Sequence, residues 1–258
     1  MISMSVLAVS CVKDKDKEVA LESNNFTDKS LIQLFNATLG SARNYIYVDG
    51  APVNGAAIAY GASFPVTSTP ANFAVSSGFR AFLIRDTSST TTQPIMSLAE
   101  NLQSSVNYTL FTYDTLNAVK NKLVVNNIVI PADTTARLRF ANFAYSPNAL
   151  VPVDIFSKRL NTNIFTNVAI TDVTGFIPYD TRRSDTLIIR ETGTGVDLQN
   201  RTVTTSGTPP VTVTTFSPVQ IILSLTRKRS YTVIFRGGYR TDLTTAATVR
   251  SLSLFANN

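Results

Sequence analysis

The chain of 258 residues has no histidine, no tryptophan and a single cysteine. Histidine is the usual general base near neutral pH and the commonest metal ligand in proteins. Its absence excludes Ser-His-Asp and Cys-His nucleophile systems within this chain, and a lone cysteine excludes a Cys/His zinc site. We expect neither a bound metal nor a cofactor.

Charged residues are also scarce, at 16% of the chain against roughly a quarter in average globular proteins. The net charge of +6 is uneven, because residues 128–258 carry 14 Lys and Arg against 8 Asp and Glu. The second half could therefore attract an anionic partner such as an acidic glycan, lipopolysaccharide or nucleic acid. A soluble surface without such a partner is the simpler interpretation.

The first residues, 1–11, match an export signal. Their apolar run is too short to span a bilayer as a helix, but it is typical of the hydrophobic and cleavage regions of a signal peptide. Leu7-Ala8-Val9-Ser10-Cys11 resembles a bacterial lipobox, and this resemblance implies lipidation of Cys11. The basic residues that usually precede such a run are missing. Residues 12–30 are polar, with alternating charges, and predict a flexible tether.

From residue 31 onward, short runs rich in Val, Ile, Thr, Phe and Tyr alternate with turn-forming residues, which predicts an all-β protein. Four runs recur in order in the second half: Ile32–Asn36 with Leu138–Asn142, Tyr45–Tyr47 with Asp154–Phe156, Leu83–Thr87 with Ile188–Thr192, and Asn107–Phe111 with Ser230–Ile234. We predict two tandem antiparallel β-sandwich domains of immunoglobulin-like type, at 31–130 and 137–258, joined by a linker at 131–136. A barrel is the alternative.

Local patterns add three expectations. In Tyr45–Val48, either Ile46 and Val48 or the two tyrosines face the core, and alternation alone does not decide which. Asp49-Gly50 is typical of a type I′ hairpin turn. The second copy contains an insertion at 193–215, which is either a long β-hairpin with its tip at 206–210 or a loop.

These runs, with Val48-Asp49-Gly50 and Ile58-Ala59-Tyr60-Gly61, resemble the bacterial domain-of-unknown-function family numbered 4397. Both copies resemble it, although the second has Ser157-Lys158 where the first has Asp49-Gly50. The resemblance implies exported or surface-anchored modules, often in tandem, without an established activity. The lipobox and tether are similar to those of Bacteroidetes-type lipoproteins.

The pattern favours a non-catalytic lipoprotein of the cell envelope, anchored by its N-terminal lipid at the outer membrane, the surface or the periplasmic face. Its main expected role is binding or adhesion to an extracellular glycan or protein. A structural spacer or an assembly subunit of an envelope complex is the alternative. Nucleic acid is not an expected partner, because an exported protein rarely meets it.

Three sharper hypotheses concern individual residues. An anionic-ligand patch could form from five basic residues: Arg227, Lys228, Arg229, Arg236 and Arg240. Thr134 lies in the triplet Asp133-Thr134-Thr135, which resembles the Asp-Ser/Thr-apolar acceptor of O-glycosylation in Bacteroidetes. Catalysis by paired carboxylates is disfavoured, because the only glutamates beyond the tether are Glu100 and Glu191 and most aspartates lie beside turns. Calcium is disfavoured, because no Asp-rich run occurs outside the tether.

Overall fold

The computed structural model, which describes residues 27–65, 71–148 and 151–258, is nearly all β-structure. The described residues form nineteen strands and one short 3₁₀ helix, Leu116–Ala118. No helix in this part of the chain is long and apolar enough to cross a membrane. The predicted export signal with Cys11, and most of the tether predicted at 12–30, lie outside the described residues.

The strands fall into two groups, which we call the first repeat (residues 29–126) and the second repeat (residues 136–256). The first repeat contains β1 (Lys29–Asn36), β2 (Asn44–Val48), β3 (Ala51–Pro52), β4 (Ser63–Phe64), β5 (Phe73–Ser76), β6 (Gly78–Asp86), β7 (Met96–Leu102), β8 (Asn107–Tyr113) and β9 (Lys120–Asn126). One sheet has the order β4-β1-β8-β9, with β5 also paired to β1, and the other has the order β3-β2-β6-β7.

One apolar cluster holds these two sheets together. Ile32 and Leu34 of β1 and Leu110 of β8 contribute from the first sheet, and Ile46 and Ile84 contribute from the second. Each of these side chains is at most 1% exposed. Because successive side chains of a strand point to opposite faces, the intervening residues of both sheets face outward.

The second repeat contains ten strands. They are β10 (Ala136–Asn142), β11 (Val153–Ser157), β12 (Thr162–Val168), β13 (Ile177–Tyr179), β14 (Asp185–Glu191), β15 (Gln199–Ser206), β16 (Val211–Pro218), β17 (Gln220–Leu223), β18 (Ser230–Arg236) and β19 (Ser251–Ala256). Two four-stranded sheets have the orders β13-β10-β18-β19 and β12-β11-β14-β17, and β15 and β16 form a two-stranded sheet. A second apolar cluster joins the two four-stranded sheets.

The runs that recur in the sequence occupy equivalent places in the two repeats. In the first, β1 and β8 run parallel with Ile32 opposite Tyr108, and in the second, β10 and β18 run parallel with Leu138 opposite Tyr231. The prediction of wholly antiparallel sheets is wrong for these two pairs, because their strands are far apart in the chain and no hairpin joins them. The tyrosines also play the same role. The hydroxyl of Tyr108 accepts a hydrogen bond from the backbone N–H of a residue five positions upstream, at 2.9 Å, and that of Tyr231 does so at 3.0 Å.

The two repeats meet through the outward faces of the β1-β8-β9 and β10-β18-β19 strands. A third apolar cluster lies there, and its aromatic rings come from both repeats. Phe111 stacks on Phe143 with 4.5 Å between ring centroids, and Phe35 stacks on Phe255 at 5.8 Å. Since these rings are removed from water only by the other repeat, their burial joins the repeats.

Polar contacts surround these rings. Gln33 donates from Nε2 to the carbonyl of Ala256 at 2.8 Å, and Lys122 donates from Nζ to the carbonyl of Thr171 at 2.6 Å. Arg139 donates from Nη2 to Oδ1 of Asn126 at 2.7 Å. These hydrogen bonds and the stacked rings place the two repeats in close contact, next to the short connection between β9 and β10.

The predicted unit boundaries differ by one to four residues from the strands, since β9 ends at Asn126 and the first domain was predicted to end at 130. Lys29 and Ser30, assigned to the tether 12–30, begin β1, because they pair with β5. Ala136, assigned to the linker 131–136, begins β10, because it pairs with Tyr179 of β13. The bounds of pairing depend on these partners, which lie about 45 residues away along the chain.

The insertion at 193–215 contains a β-hairpin, as one of its two predicted alternatives stated. β15 and β16 pair over eight residues each, from Gln199 opposite Pro218 to Ser206 opposite Val211. The turn at Asp49-Gly50 is also confirmed, since Val48 pairs with Ala51 and both turn residues have positive φ, +49° and +84°.

Candidate functional site

The five residues of the predicted basic patch do not form one cluster. Arg227, Lys228 and Arg229 lie just before β18, whereas Arg236 ends this strand and Arg240 follows it. The seven residues of β18 span roughly 20 Å, so the strand separates the two groups. These five residues are close along the chain but not in space.

Arg236 is also engaged in the contact between the repeats. Its guanidinium carbon lies 4.7 Å from the ring centroid of Tyr60 in the first repeat, and its Nε donates to Oγ of Ser253 at 2.8 Å. Burial raises the pKa of Tyr60, and the Arg236 guanidinium opposes part of this rise. Arg236 thus binds an aromatic ring of its own chain.

Several of the aspartates form ion pairs that stabilise the fold. Asp49 binds Arg80, Asp180 binds Arg159 and Arg182, and other ion pairs join Asp114 to Lys120, Asp197 to Arg190 and Asp242 to Arg201. In the described part of the chain, no group of three or more metal-ligating side chains occurs. The carboxylates therefore offer no cluster with an obvious chemical role.

A different candidate site lies on the outward side of β2, β6 and β7 in the first repeat. Ile46 is buried in the core, which answers the question that alternation left open and places Tyr45 and Tyr47 on the other side of the sheet. The same side carries Leu83 and Arg85 of β6. We call this surface the open face; it also includes Gly50, Phe79, Ala81, Ser97, Ala99 and Asn101.

Small side chains create a depression in the middle of the open face. Ala81 pairs directly with Ala99, and Leu83 pairs with Ser97 on one side and with Tyr47 on the other. The volume of the depression is about 470 Å³. It is mostly apolar, because Ala81, Leu83, Leu98 and Ala99 line it.

Tyr47 and Arg85 line one edge of the depression and contact each other. The guanidinium carbon of Arg85 lies 4.6 Å from the centroid of the Tyr47 ring, and Nη2 donates to the tyrosine hydroxyl at 3.1 Å. A guanidinium over a tyrosine ring is attracted by the ring quadrupole, which contributes about 0.5–1 kcal/mol at an exposed site. At the far end, Phe79 is 72% exposed and stands opposite Asn101.

The corresponding surface of the second repeat is closed. Arg190 lies 3.5 Å from the centroid of Phe156, as Arg85 stacks on Tyr47, but its Nε also binds Asp197 at 2.6 Å. Ile188, which matches Leu83 in the recurring runs, is only 2% exposed. The two repeats therefore share an arginine on an aromatic ring, while the open depression belongs to the first.

The β15-β16 hairpin is a second exposed feature. Its side chains are almost all exposed, including Phe216 at 62%, Val211 at 59% and Val213 at 52%. Its base is held by Arg201, whose backbone N–H donates to the carbonyl of Asp242 at 2.8 Å. Val211 and Val213 lie on one face of the hairpin and Phe216 lies on the other, so both faces carry exposed apolar side chains.

The remaining predicted residues are readily placed. Thr134 is exposed, and its carbonyl accepts a hydrogen bond from Oγ1 of Thr181 at 2.9 Å, so its own hydroxyl is not used in that contact. Cys11 lies outside the described residues. Tyr47 and Arg85 could not be recognised as a site from the sequence, because only the pairing of β2 with β6 makes them neighbours.

Comparisons with known proteins add little to this picture. No protein-family model matches the chain, and no curated protein matches it significantly. Among solved structures, the chain is similar to a family 26 carbohydrate-binding module, CBMbc of Eubacterium rectale Amy13K in complex with maltoheptaose. The identity is 11%, over 88% of this chain and 96% of that chain, with a TM-score of 0.24.

Proposed function

We propose that the chain is a non-catalytic binding module in which the open face of the first repeat holds a neutral glycan. The observation that carries this proposal is the Tyr47 ring, fixed by Arg85 beside an apolar depression. Binding pockets combine a mostly apolar surface with a few well-placed polar groups, and the open face has this composition.

The chemistry of a sugar ring fits such a surface. Its C–H face is apolar and can lie on Tyr47, Leu83 and the two small alanines, while its hydroxyls point to the edges. The hydroxyls of Tyr47 and Ser97 and the guanidinium of Arg85 belong to residues that line the same depression. The residues that define the open face include no carboxylate, which disfavours a cationic ligand.

The wider architecture and address belong to the same proposal. We propose two immunoglobulin-like β-sandwich domains at 31–130 and 137–258, related to the family numbered 4397. The paired sheets of each repeat and the matching roles of Tyr108 and Tyr231 support this, since a tyrosine bonded to upstream backbone recurs in such domains. We further propose that lipidated Cys11 and the tether present the module at the cell envelope.

A glycan array followed by calorimetry tests the ligand, with residues 20–258 as the protein. We expect neutral oligosaccharides to bind with little dependence on salt, and Tyr47→Ala to weaken binding about tenfold or more, since aromatic contacts dominate such sites. Phe216→Ala is the matched control, because it removes an exposed aromatic ring outside the open face. Binding that survives Tyr47→Ala unchanged, or no glycan binding at all, would reject the open face as a glycan site.

The β15-β16 hairpin favours a second candidate function, that of an assembly subunit whose arm contacts an envelope protein. Thr202 and Thr215 are paired, so residues 203–214 can be replaced by an Asn-Gly turn without breaking the base of the hairpin. A pull-down from the native envelope should recover a partner with the intact chain and lose it with the shortened one. Equal recovery by both chains would reject the arm as the contact.

A further inference from the structure

A cavity of about 390 Å³ lies where the two repeats meet, beside the cluster of aromatic rings. Val124 and Val125 of β9 line it from the first repeat, and Asn127 and Val129 line it from the connection that follows. The second repeat lines it with Arg137 and Arg139 of β10 and with the segment 173–176. Its wall is therefore apolar on one side and basic on the other.

Arg139 is a buried cation in this wall. The residue is 2% exposed, and its guanidinium stacks on Phe176 with 4.6 Å to the ring centroid. Nε donates to Thr232 and Nη2 donates to Asn126 and Thr109, all of which are neutral acceptors. Burial without a neighbouring anion lowers the pKa of Arg139 to about 10.

Arg137 lies two residues before Arg139 on the same side of β10, and its Nε is buried without a hydrogen-bond partner in the described part of the chain. The ion pairs of the described residues include neither arginine. The carboxylate that bears on Arg137 is Asp133, which is exposed and held mainly by hydrogen bonds from Thr135. No carboxylate lines the cavity itself.

A buried charge without a counter-ion is costly, and a buried donor without an acceptor adds to that cost. An anion inside the cavity would reduce both. We propose that this cavity is a binding site for a small organic anion, with its charged group at Arg137 and Arg139 and its apolar part against the valines of the first repeat. The site is separate from the open face and does not depend on the proposed glycan function.

Phenyl phosphate is a suitable probe, because it combines an anionic group with an apolar ring. We expect it to bind the protein in calorimetry, more tightly than inorganic phosphate or phenol, with an affinity that falls as salt is added. Arg137→Gln should weaken binding at least tenfold. Arg227→Gln, an exposed arginine of the predicted basic patch, is the matched control and should leave the affinity unchanged.

A second pair of variants keeps the test valid if Arg137→Gln alters folding. Val129 and Ile130 are neighbours, both more than half exposed, but only Val129 lines the cavity. Val129→Glu places a competing carboxylate there and should abolish phenyl phosphate binding, whereas Ile130→Glu should not. The proposal would be overturned if phenyl phosphate failed to bind at a concentration of about 10 mM. It would also be overturned if the two variants of either pair had equal effects on binding. Loss of glycan binding by Tyr47→Ala tests only the open face.

Discussion

Phe111 on β8 measures how firmly the two repeats are joined. Its side chain is fully buried, yet it faces away from the core of its own repeat and stacks on Phe143 of the other. Phe111→Ala would leave a cavity between the repeats, and we expect it to lower the free energy of unfolding by about 3–5 kcal/mol. The adjacent Leu110 faces the opposite way, into the first apolar cluster, and Leu110→Ala should cost about 2–5 kcal/mol.

A double-mutant cycle separates the contact between repeats from packing within each repeat. Because the rings of Phe111 and Phe143 touch, the two substitutions to alanine should be non-additive, with a coupling of about 0.5–3 kcal/mol. Leu110 and Phe143 belong to different apolar clusters, so their substitutions should add within about 0.5 kcal/mol.

Equilibrium urea unfolding provides the free energies, followed by far-UV circular dichroism. Tyrosine fluorescence is the second probe, since the chain has nine tyrosines and no tryptophan. If Phe111→Ala cost less than about 1 kcal/mol, the ring would be in water rather than between the repeats. Additive effects of the Phe111 and Phe143 substitutions would likewise refute the contact.

Two further predictions concern single side chains. Hydrogen bonds from Arg182 and Arg159 hold the pKa of Asp180 at about 2, below its usual 3.8, so its stabilising effect is present above pH 4 and is lost as the pH falls towards 2. Asp180→Asn should therefore flatten acid unfolding in that window, and an unchanged acid profile would contradict this. Gly61 has φ +78°, and a Cβ there would lie 2.7 Å from Cζ of Arg236, so Gly61→Ala should destabilise by at least about 1–2 kcal/mol. In urea unfolding it should cost less in an Arg236→Ala background, whereas equal costs would exclude the clash.

Much of the strand content could be predicted from local patterns. Runs of β-branched and aromatic residues between turn residues marked strands such as Tyr231–Phe235, and the recurrence of the runs marked two copies. The β-hairpin in the insertion was one of two stated alternatives, because a Thr-rich segment with turn residues is compatible with a hairpin or with a loop. The type I′ turn at Asp49-Gly50 followed from the backbone freedom of these two residue types.

The candidate sites could not be predicted in the same way. The five basic residues of the predicted patch are close along the chain, but an extended strand carries residues about 3.3 Å apart per position and so separates them. Tyr47 and Arg85 are 38 positions apart, and they become neighbours only through the pairing of β2 with β6. Local patterns contain no information about such pairs.

By itself, the sequence determined the period-2 alternation, the turns and the order of the repeated strands, because these depend on residues near one another in the chain. Tertiary structure alone decided which side of each strand faces water, because that depends on the sheet packed against it. It also decided that Phe111 and Phe143 meet and that Arg137 and Arg139 line a cavity between the repeats. Both arrangements result from docking two surfaces whose residues are distant in sequence, which no local propensity encodes.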